Sequence, residues 1–243
     1  MTTSGRPQSR HTHDTMPGFR AIQTAAFVVF AVLSVVLAME VVQGAAEHGG
    51  IWLIPLVAIA AYLAADFVSG FVHFLADTFG TPDTPFVGKA FVLPFREHHD
   101  NPKGILEHPF MIANGNNCLV TVPFLIGVLV LVPVDGSRAG YLTGAFGLFF
   151  CLAILLTNQF HKWAHMDEPP RAVAWLQRKG LVLSKEHHDV HHVSPFDTYF
   201  CITVGWWNPL LERIRFFERV ERMIRFVTAS PRPEAQRTTT KST

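Results

Sequence analysis

Four long apolar stretches organise the chain, at Phe19–Val42, Ile51–Leu75, Cys118–Val134 and Tyr141–Phe160, separated by segments rich in charge and histidine. A bilayer hydrocarbon core needs about 20 apolar residues in helical form, and each stretch reaches or approaches that length. Glu40 falls at the end of the first stretch and Asp66 late in the second, while the third is short and carries Pro123. The polar intervals hold too little amphipathic material to cover four such helices in water. The pattern therefore predicts an all-α integral membrane protein: four transmembrane helices with a cytoplasmic, histidine-rich helical cap. The first stretch is too long for a signal-peptide core and no A-x-A-like cleavage site follows it, which predicts a retained span.

Around these spans the pattern predicts a polar N-terminal tail over residues 1–18, a single membrane domain over 19–229, and a disordered Pro- and Thr-rich tail over 230–243. Leu210, Leu211, Ile214, Phe217, Val220, Ile224 and Val227 recur at helical spacing, interleaved with arginines and glutamates. That spacing predicts an amphipathic helix, lying on an anionic membrane surface with Trp206 and Trp207 at headgroup level, or packed against the cap.

Charge orients the chain. Arg6, Arg10 and Arg20 precede the first span, Lys89, Arg96 and Lys103 lie between the second and third, and every base from Lys162 onward follows the fourth. The two opposite loops hold only Arg138. The positive-inside rule then predicts cytoplasmic termini and a cytoplasmic second loop in a multi-pass protein, and the bacterial-type composition points to an inner membrane. A formal net charge of +1 gives no electrostatic support for a nucleic-acid partner. Cys118, Cys151 and Cys201 are scattered, which argues against a structural disulfide or zinc knuckle.

Histidine placement carries the chemistry. Ten of the thirteen histidines lie between His73 and His192, each cluster at or just beyond the predicted cytoplasmic end of a span. The groups are His73-x-x-x-Asp77, Glu97-His98-His99-Asp100, His108, His161-x-x-x-His165 and Glu186-His187-His188-Asp189-x-His191-His192. Residues three or four apart share a helix face, so Asp66, Gly70, His73 and Asp77 line one side of the second span, as His161 and His165 do beyond the fourth. Ionisable groups at such depth are costly unless paired or ligated. The segments Arg96–Asp100 and Lys185–Asp189 follow their helix pairs at similar intervals. This echo suggests a duplication with a shared site between its halves.

Catalytic zinc takes three protein ligands, fewer than this array offers, and no cysteine or methionine accompanies the clusters as soft copper would require. Imidazole suits iron, and eight or more imidazoles exceed what one octahedral ion can use, which points to two ions. No Glu-x-x-His motif of the soluble di-iron bundles is present. Asp100, Asp189, Glu97 and Glu186 adjoin ligand pairs, as acceptors that fix imidazole tautomers or as plain solvated charges.

Taken in order, His73-x-x-x-Asp77, Arg96-Glu97-His98-His99-x-x-Pro102, His108-Pro109, Asn114-x-x-Asn117, His161-x-x-x-His165 and His187-His188-x-x-His191-His192 resemble the plasmanylethanolamine desaturase family. That family includes the animal Kua-type enzyme, bacterial CarF proteins and a plant plastid desaturase acting on phosphatidylglycerol; the bacterial CarF branch is the nearest in pattern. The resemblance covers roughly Ile51 to Phe217. It implies an O2-dependent oxidoreductase that desaturates the sn-1 alkyl chain of an ether phospholipid to the vinyl ether of a plasmalogen. It also implies a di-iron centre and an external electron donor of the cytochrome b5 or ferredoxin-and-reductase kind. In CarF relatives the product supports a light and singlet-oxygen response that switches on carotenoid synthesis.

Carried over by position, the implied iron ligands are His73, His98, His99, His161, His165, His187, His188, His191 and His192. Asp77 and His108 form a second tier, Asp77 standing where acyl desaturases carry histidine. No catalytic residue separate from the metal centre is implied. Asn114 and Asn117 shape a pocket in this reading, or simply start a helix. Other readings use the same residues. They are a lipid hydroxylase or acyl desaturase with the same centre, a membrane haem protein with His73 and His161 as axial ligands, a metal transporter or sensor, and loops that bind metal adventitiously.

Overall fold

A computed structural model describes residues 18–85 and 87–229. The described residues form α-helices with no strand: α1 Phe19–His48, α2 Ile54–Thr78, α3 Leu93–Asp100, α4 Phe110–Leu131, α5 Arg138–Ala164, α6 Arg171–Arg178, α7 Lys185–Asp189, α8 Asn208–Arg213 and α9 Phe216–Thr228. Four of them, α1, α2 (with the preceding turn Ile51–Leu53), α4 and α5, are long and apolar enough to cross a membrane. The four apolar stretches read from sequence coincide with these helices except that the third overruns α4 by Val132–Val134, and all four helices extend past the apolar stretch at one or both ends. The third helix begins at Phe110 rather than Cys118, because Asn114, Asn116 and Asn117 bond within the bundle instead of starting a helix. The expected tails, over 1–18 and 230–243, lie outside the described residues save for Gly18.

Local chemistry sets the helix limits. Gly49 (φ 65°) and Gly50 (φ 84°) stop α1 in a backbone conformation that other residues resist. Pro55, Pro94 and Pro209 open α2, α3 and α8, where a missing N–H costs nothing. Ser137 caps α5 by accepting from Gly140 N at 3.0 Å.

The core helix is α5, which packs against α1, α2 and α4. Small residues let it approach closely, as lipid-embedded helices require; a Cβ on Gly147 would stand 3.0 Å from Val128 Cγ2 of α4. Phe30, Leu37, Leu125, Leu148 and Cys151 fill the interior, whereas Val28, Val32, Val35, Met39, Val130 and Leu131 point outward. Outward apolar side chains of this density suit hydrocarbon surroundings. At one end of the bundle the turns are pinned by His48 Nε2 donating to Asp135 O (2.7 Å), Arg138 Nη2 to His48 O (2.9 Å) and Tyr141 Oη to Gly49 O (2.6 Å).

The other end carries the histidines and the cap of α3 and α6–α9. The amphipathic tail is two helices rather than one, broken at Arg215 (φ 52°). Leu211 and Phe217 pack with Phe74 of α2 and Phe200, while Met223, Phe226 and Val227 stay exposed. The helix pair thus rests on the end of α2 and still offers an apolar outer edge.

Candidate metal centre

The ends of α2 and α5, together with α3, α7 and the turn after α7, bring nine of the candidate ligands into two adjoining groups. The first holds His98, His161, His165, His188 and His192; the second holds His73, Asp77, His99 and His191. Within each group the ligand atoms lie within 4.8 Å of one another. Each group draws on both halves of the chain, as a site between the halves requires. The groups adjoin through His99 and His192, whose ring centroids are 5.5 Å apart, and His188 and His191, at 5.7 Å.

In the first group the nitrogens converge on one point. His188 Nε2 is 2.8 Å from His161 Nε2, 3.0 Å from His165 Nε2 and 3.0 Å from His192 Nε2, and the His161 and His165 Nε2 atoms are 3.2 Å apart. A neutral imidazole nitrogen has either one proton or one lone pair, so these contacts cannot all be hydrogen bonds. Ligands at right angles on a metal with N–metal bonds of about 2.1 Å stand about 3 Å apart. The spacing fits a cation at the centre.

The second group argues the same way from its tautomers. His73 Nδ1 donates to Phe200 O (3.0 Å) and His191 Nδ1 donates to Thr198 O (2.7 Å). Both Nε2 atoms then carry lone pairs, and both face Asp77 Oδ2, at 3.2 and 3.5 Å, with His99 Nε2 at 3.7 Å. The lone pairs of His73 and His191 set against a carboxylate repel one another unless a cation lies among them. His73 Nε2 and both Asp77 oxygens are buried with no hydrogen-bond partner, which a ligated metal explains and protein contacts do not.

Outside the spans, the imidazoles are held neutral. Burial, reinforced by neighbouring imidazoles, pushes His98 and His188 far below the usual histidine range. Burial also lowers His191 strongly, and it drives His99 to about 4, His165 to about 3 and His192 to about 4. Neutral imidazoles are the ligating form.

The remaining candidates fall elsewhere. His187 stands outside both groups, its Nε2 accepting from Asn208 Nδ2 at 3.1 Å. The side chain of His108 lines a cavity, while its carbonyl accepts from Lys162 Nζ (2.5 Å). Glu97 lines the same cavity. Asp100 and Glu186 are exposed, and Asp189 pairs with Lys185 Nζ at 3.1 Å. The acceptors that orient His73 and His191 are backbone carbonyls, which no side-chain pattern displays. Asn117 donates to Ile154 O (2.7 Å) and lines the cavity; Asn114 donates to Phe110 O (2.9 Å).

That cavity, of about 440 Å³, opens between α1, α2, α4 and α5 and reaches His98 and His161. Arg20, Gln23, Glu97, Asn101, His108 and Asn116 line it near the metal groups; Val68, Val120, Phe124, Phe150 and Ile154 line it deeper. Ile154 and Phe150 precede His161 by seven and eleven residues on α5, about 10 and 16 Å at 1.5 Å per residue. Gln23, Asn116 and Asn158 went unnoticed in sequence, although amides inside apolar helices are a readable signal. A second opening, lined by Asn101, Lys103, Lys185 and Asp189, reaches His165 and His192.

Comparison with known proteins bears on these groups. A family model described as the lipid desaturase domain matches residues 62–235. Plasmanylethanolamine desaturase of Myxococcus xanthus is 44% identical over 212 residues, 87% of this chain and 74% of that protein. Plasmanylethanolamine desaturase 1 of Mus musculus is 44% identical over 180 residues, 72% of this chain and 66% of that protein. The chloroplastic fatty acid desaturase 4 of Arabidopsis thaliana is 34% identical over 198 residues, 80% of this chain and 58% of that protein. No solved structure matches.

Proposed function

The chain belongs to the lipid desaturase domain family, and we propose that it removes two hydrogens from the sn-1 alkyl chain of an ether phospholipid. The carbons are those next to the ether oxygen, and the product is the vinyl ether of a plasmalogen. The observation that carries this reading is the position of His98 and His161 at the polar end of an amphiphilic cavity. A lipid whose glycerol sits among Gln23, Asn101 and Asn116 places its head-proximal carbons beside these ligands. Its chain then runs away from them toward Phe124 and Phe150. A mid-chain acyl desaturase needs its metal beside the middle of the apolar run instead.

The ligand roles follow the two groups. His98, His161, His165, His188 and His192 hold one ion, and His73, Asp77, His99 and His191 hold the other. Iron supplies dioxygen activation and cleavage of an unactivated C–H bond, chemistry that side chains lack. In the overall balance, O2 takes two electrons and two protons from the substrate and two of each from outside, leaving as two waters. The backbone carbonyls of Phe200 and Thr198 keep the His73 and His191 lone pairs turned inward, and the apolar walls keep bulk water from the reacting carbons. An external electron donor approaches from the aqueous side, where Lys103 and Lys185 flank the second opening. The basic-residue bias along the sequence supports a cytoplasmic position for this cap and both termini.

The test is expression in a plasmalogen-free host fed an alkyl-ether phospholipid. Acid-labile vinyl ether should form with the wild type and disappear with His161→Ala. Absence of product from iron-loaded protein given a competent reductase contradicts the desaturase reading.

A further inference from the structure

Asp66 is fully buried in α2, two turns before His73, and the chemistry proposed above makes no use of it. Its Oδ1 accepts from Val204 N (2.9 Å) and Gly205 N (2.8 Å), and its Oδ2 from Trp207 N (3.4 Å). A buried carboxylate with no cation beside it is costly unless several donors satisfy it. Here the donors are all backbone amides of one segment.

That segment, residues 198–208, runs along the α2 face in register with its side chains. Asp66 holds 204 and 205. One turn on, Ser69 Oγ accepts from Ile202 N at 3.2 Å. At Gly70 the segment comes so close that an added Cβ would stand 2.4 Å from Cys201 Sγ and 3.0 Å from Cys201 N. One turn further, His73 Nδ1 donates to Phe200 O, and just beyond, Thr198 O accepts from His191 Nδ1. Asn208 closes the other end, its Oδ1 accepting from Cys201 N (2.8 Å) and its Nδ2 donating to Cys201 O (2.9 Å). The two carbonyls that orient metal ligands therefore sit on a strip whose far end is gripped by Asp66.

Resting on the two-ion reading of the site, we propose that Asp66 is a positioning residue for the Asp77 group alone. By fixing the register of residues 198–208 it sets the Nδ1 acceptors of His73 and His191, and so the direction of their lone pairs. The segment also touches α5 and the start of α7, through Thr203 Oγ1 and Thr157 Oγ1 (2.8 Å), Leu183 N donating to Thr203 O (3.2 Å) and Asn208 Nδ2 donating to His187 Nε2 (3.1 Å), but it supplies an Nδ1 acceptor only to imidazoles of the Asp77 group. Outer partners of metal ligands typically contribute 10–100-fold to metal affinity, and Asp66 acts one step behind such partners.

The experiment compares wild type with Asp66→Ala, Asp66→Asn, His73→Ala, His188→Ala and Tyr141→Phe, the last a lesion at the opposite end of the bundle. Each purified protein is loaded with 57Fe(II) alone, and its iron content, Mössbauer spectrum and apo-state melting temperature are measured. Asp66→Ala is expected to bind iron at its weaker site about tenfold less tightly and to show the spectrum of His73→Ala, not of His188→Ala. Asp66→Asn keeps one carbonyl oxygen for Val204 and Gly205 and should fall between Ala and wild type. Tyr141→Phe should keep the wild-type iron content. The proposal is overturned if Asp66→Ala binds iron as the wild type does. It is equally overturned if both sites weaken together in proportion to a fall in apo melting temperature. Should the alanine variant fail to fold, Asp66→Asn decides by the same spectral criterion. Vinyl-ether formation by the wild type is a separate readout, so failure of the functional reading is distinguishable from failure of this one.

Discussion

The two ligand groups adjoin but are built differently. The His98 group is all imidazole, touches the lipid cavity through His98 and His161, and leaves Nδ1 of His188 and of His192 buried without a partner. The Asp77 group contains a carboxylate, does not line the cavity, and has two of its imidazoles fixed by backbone carbonyls. On the proposed reading these two sites would divide the work: an ion held by the five imidazoles would lie next to the C–H bonds to be broken, and one held by the Asp77 group would be fixed by ligands that the backbone itself orients.

The comparison breaks most visibly if the cavity-facing group is dispensable. His188→Ala removes the nitrogen that three others approach within 3.0 Å and should lower vinyl-ether formation at least 100-fold with loss of iron, read by lipid analysis and metal content; outer-sphere losses alone reach 10–100-fold. Asp77→Ala should cost slightly less product but release one ion selectively, seen as a fall toward half the wild-type iron.

Filling the cavity separates substrate access from metal binding. Val120→Trp should reduce turnover about tenfold, in keeping with the steep cost of misplacing a substrate by an ångström, while iron content stays at the wild-type level. His187→Ala should be the mildest, a few-fold loss with full iron, since His187 meets Asn208 rather than either group; loss of an ion there would redraw the ligand set.

How far the site was legible depends on the residue. The four spans announced themselves because an apolar run of about 20 residues has one favourable conformation in a bilayer. The ligand types were legible from the spacing His73/Asp77 and His161/His165, one helical turn apart. Their partition was not. Adjacent residues on a helix point about 100° apart, so His98 and His99 serve different groups, and of His187 and His188 only the second faces a group. Spacing marks both pairs alike. Asp66 was visible as a charge in an apolar span, but its partners lie near residue 205, brought in by a segment whose path only the fold reveals. Likewise Asp100, Glu186 and Asp189 stood where tautomer-fixing acceptors were expected but lie exposed; the acceptors present are carbonyls 198 and 200, which serve His191 and His73, while Nδ1 of His188 meets no protein acceptor.

Acid should sharpen the contrast in the metal-free protein. His98, His99, His165, His188, His191 and His192 have folded-state pKa values below the ordinary 6.5, so the unfolded chain takes up protons first as pH falls. Stability is fully present above about pH 6.5 and is lost progressively toward pH 4. Thermal melts of apo protein across that window should show the decline, and bound iron should suppress it.

The central claim is that the metal groups meet the lipid at its head-proximal carbons. The direct measurement is the fate of deuterium in alkyl-ether phospholipids labelled either at C1 and C2 or in mid-chain of the sn-1 group, converted by the reconstituted enzyme with a reductase and analysed by mass spectrometry. Loss of one deuterium from each of C1 and C2, with mid-chain label fully retained, is the expected result. Retention at C1 and C2 with loss of mid-chain label would contradict the account.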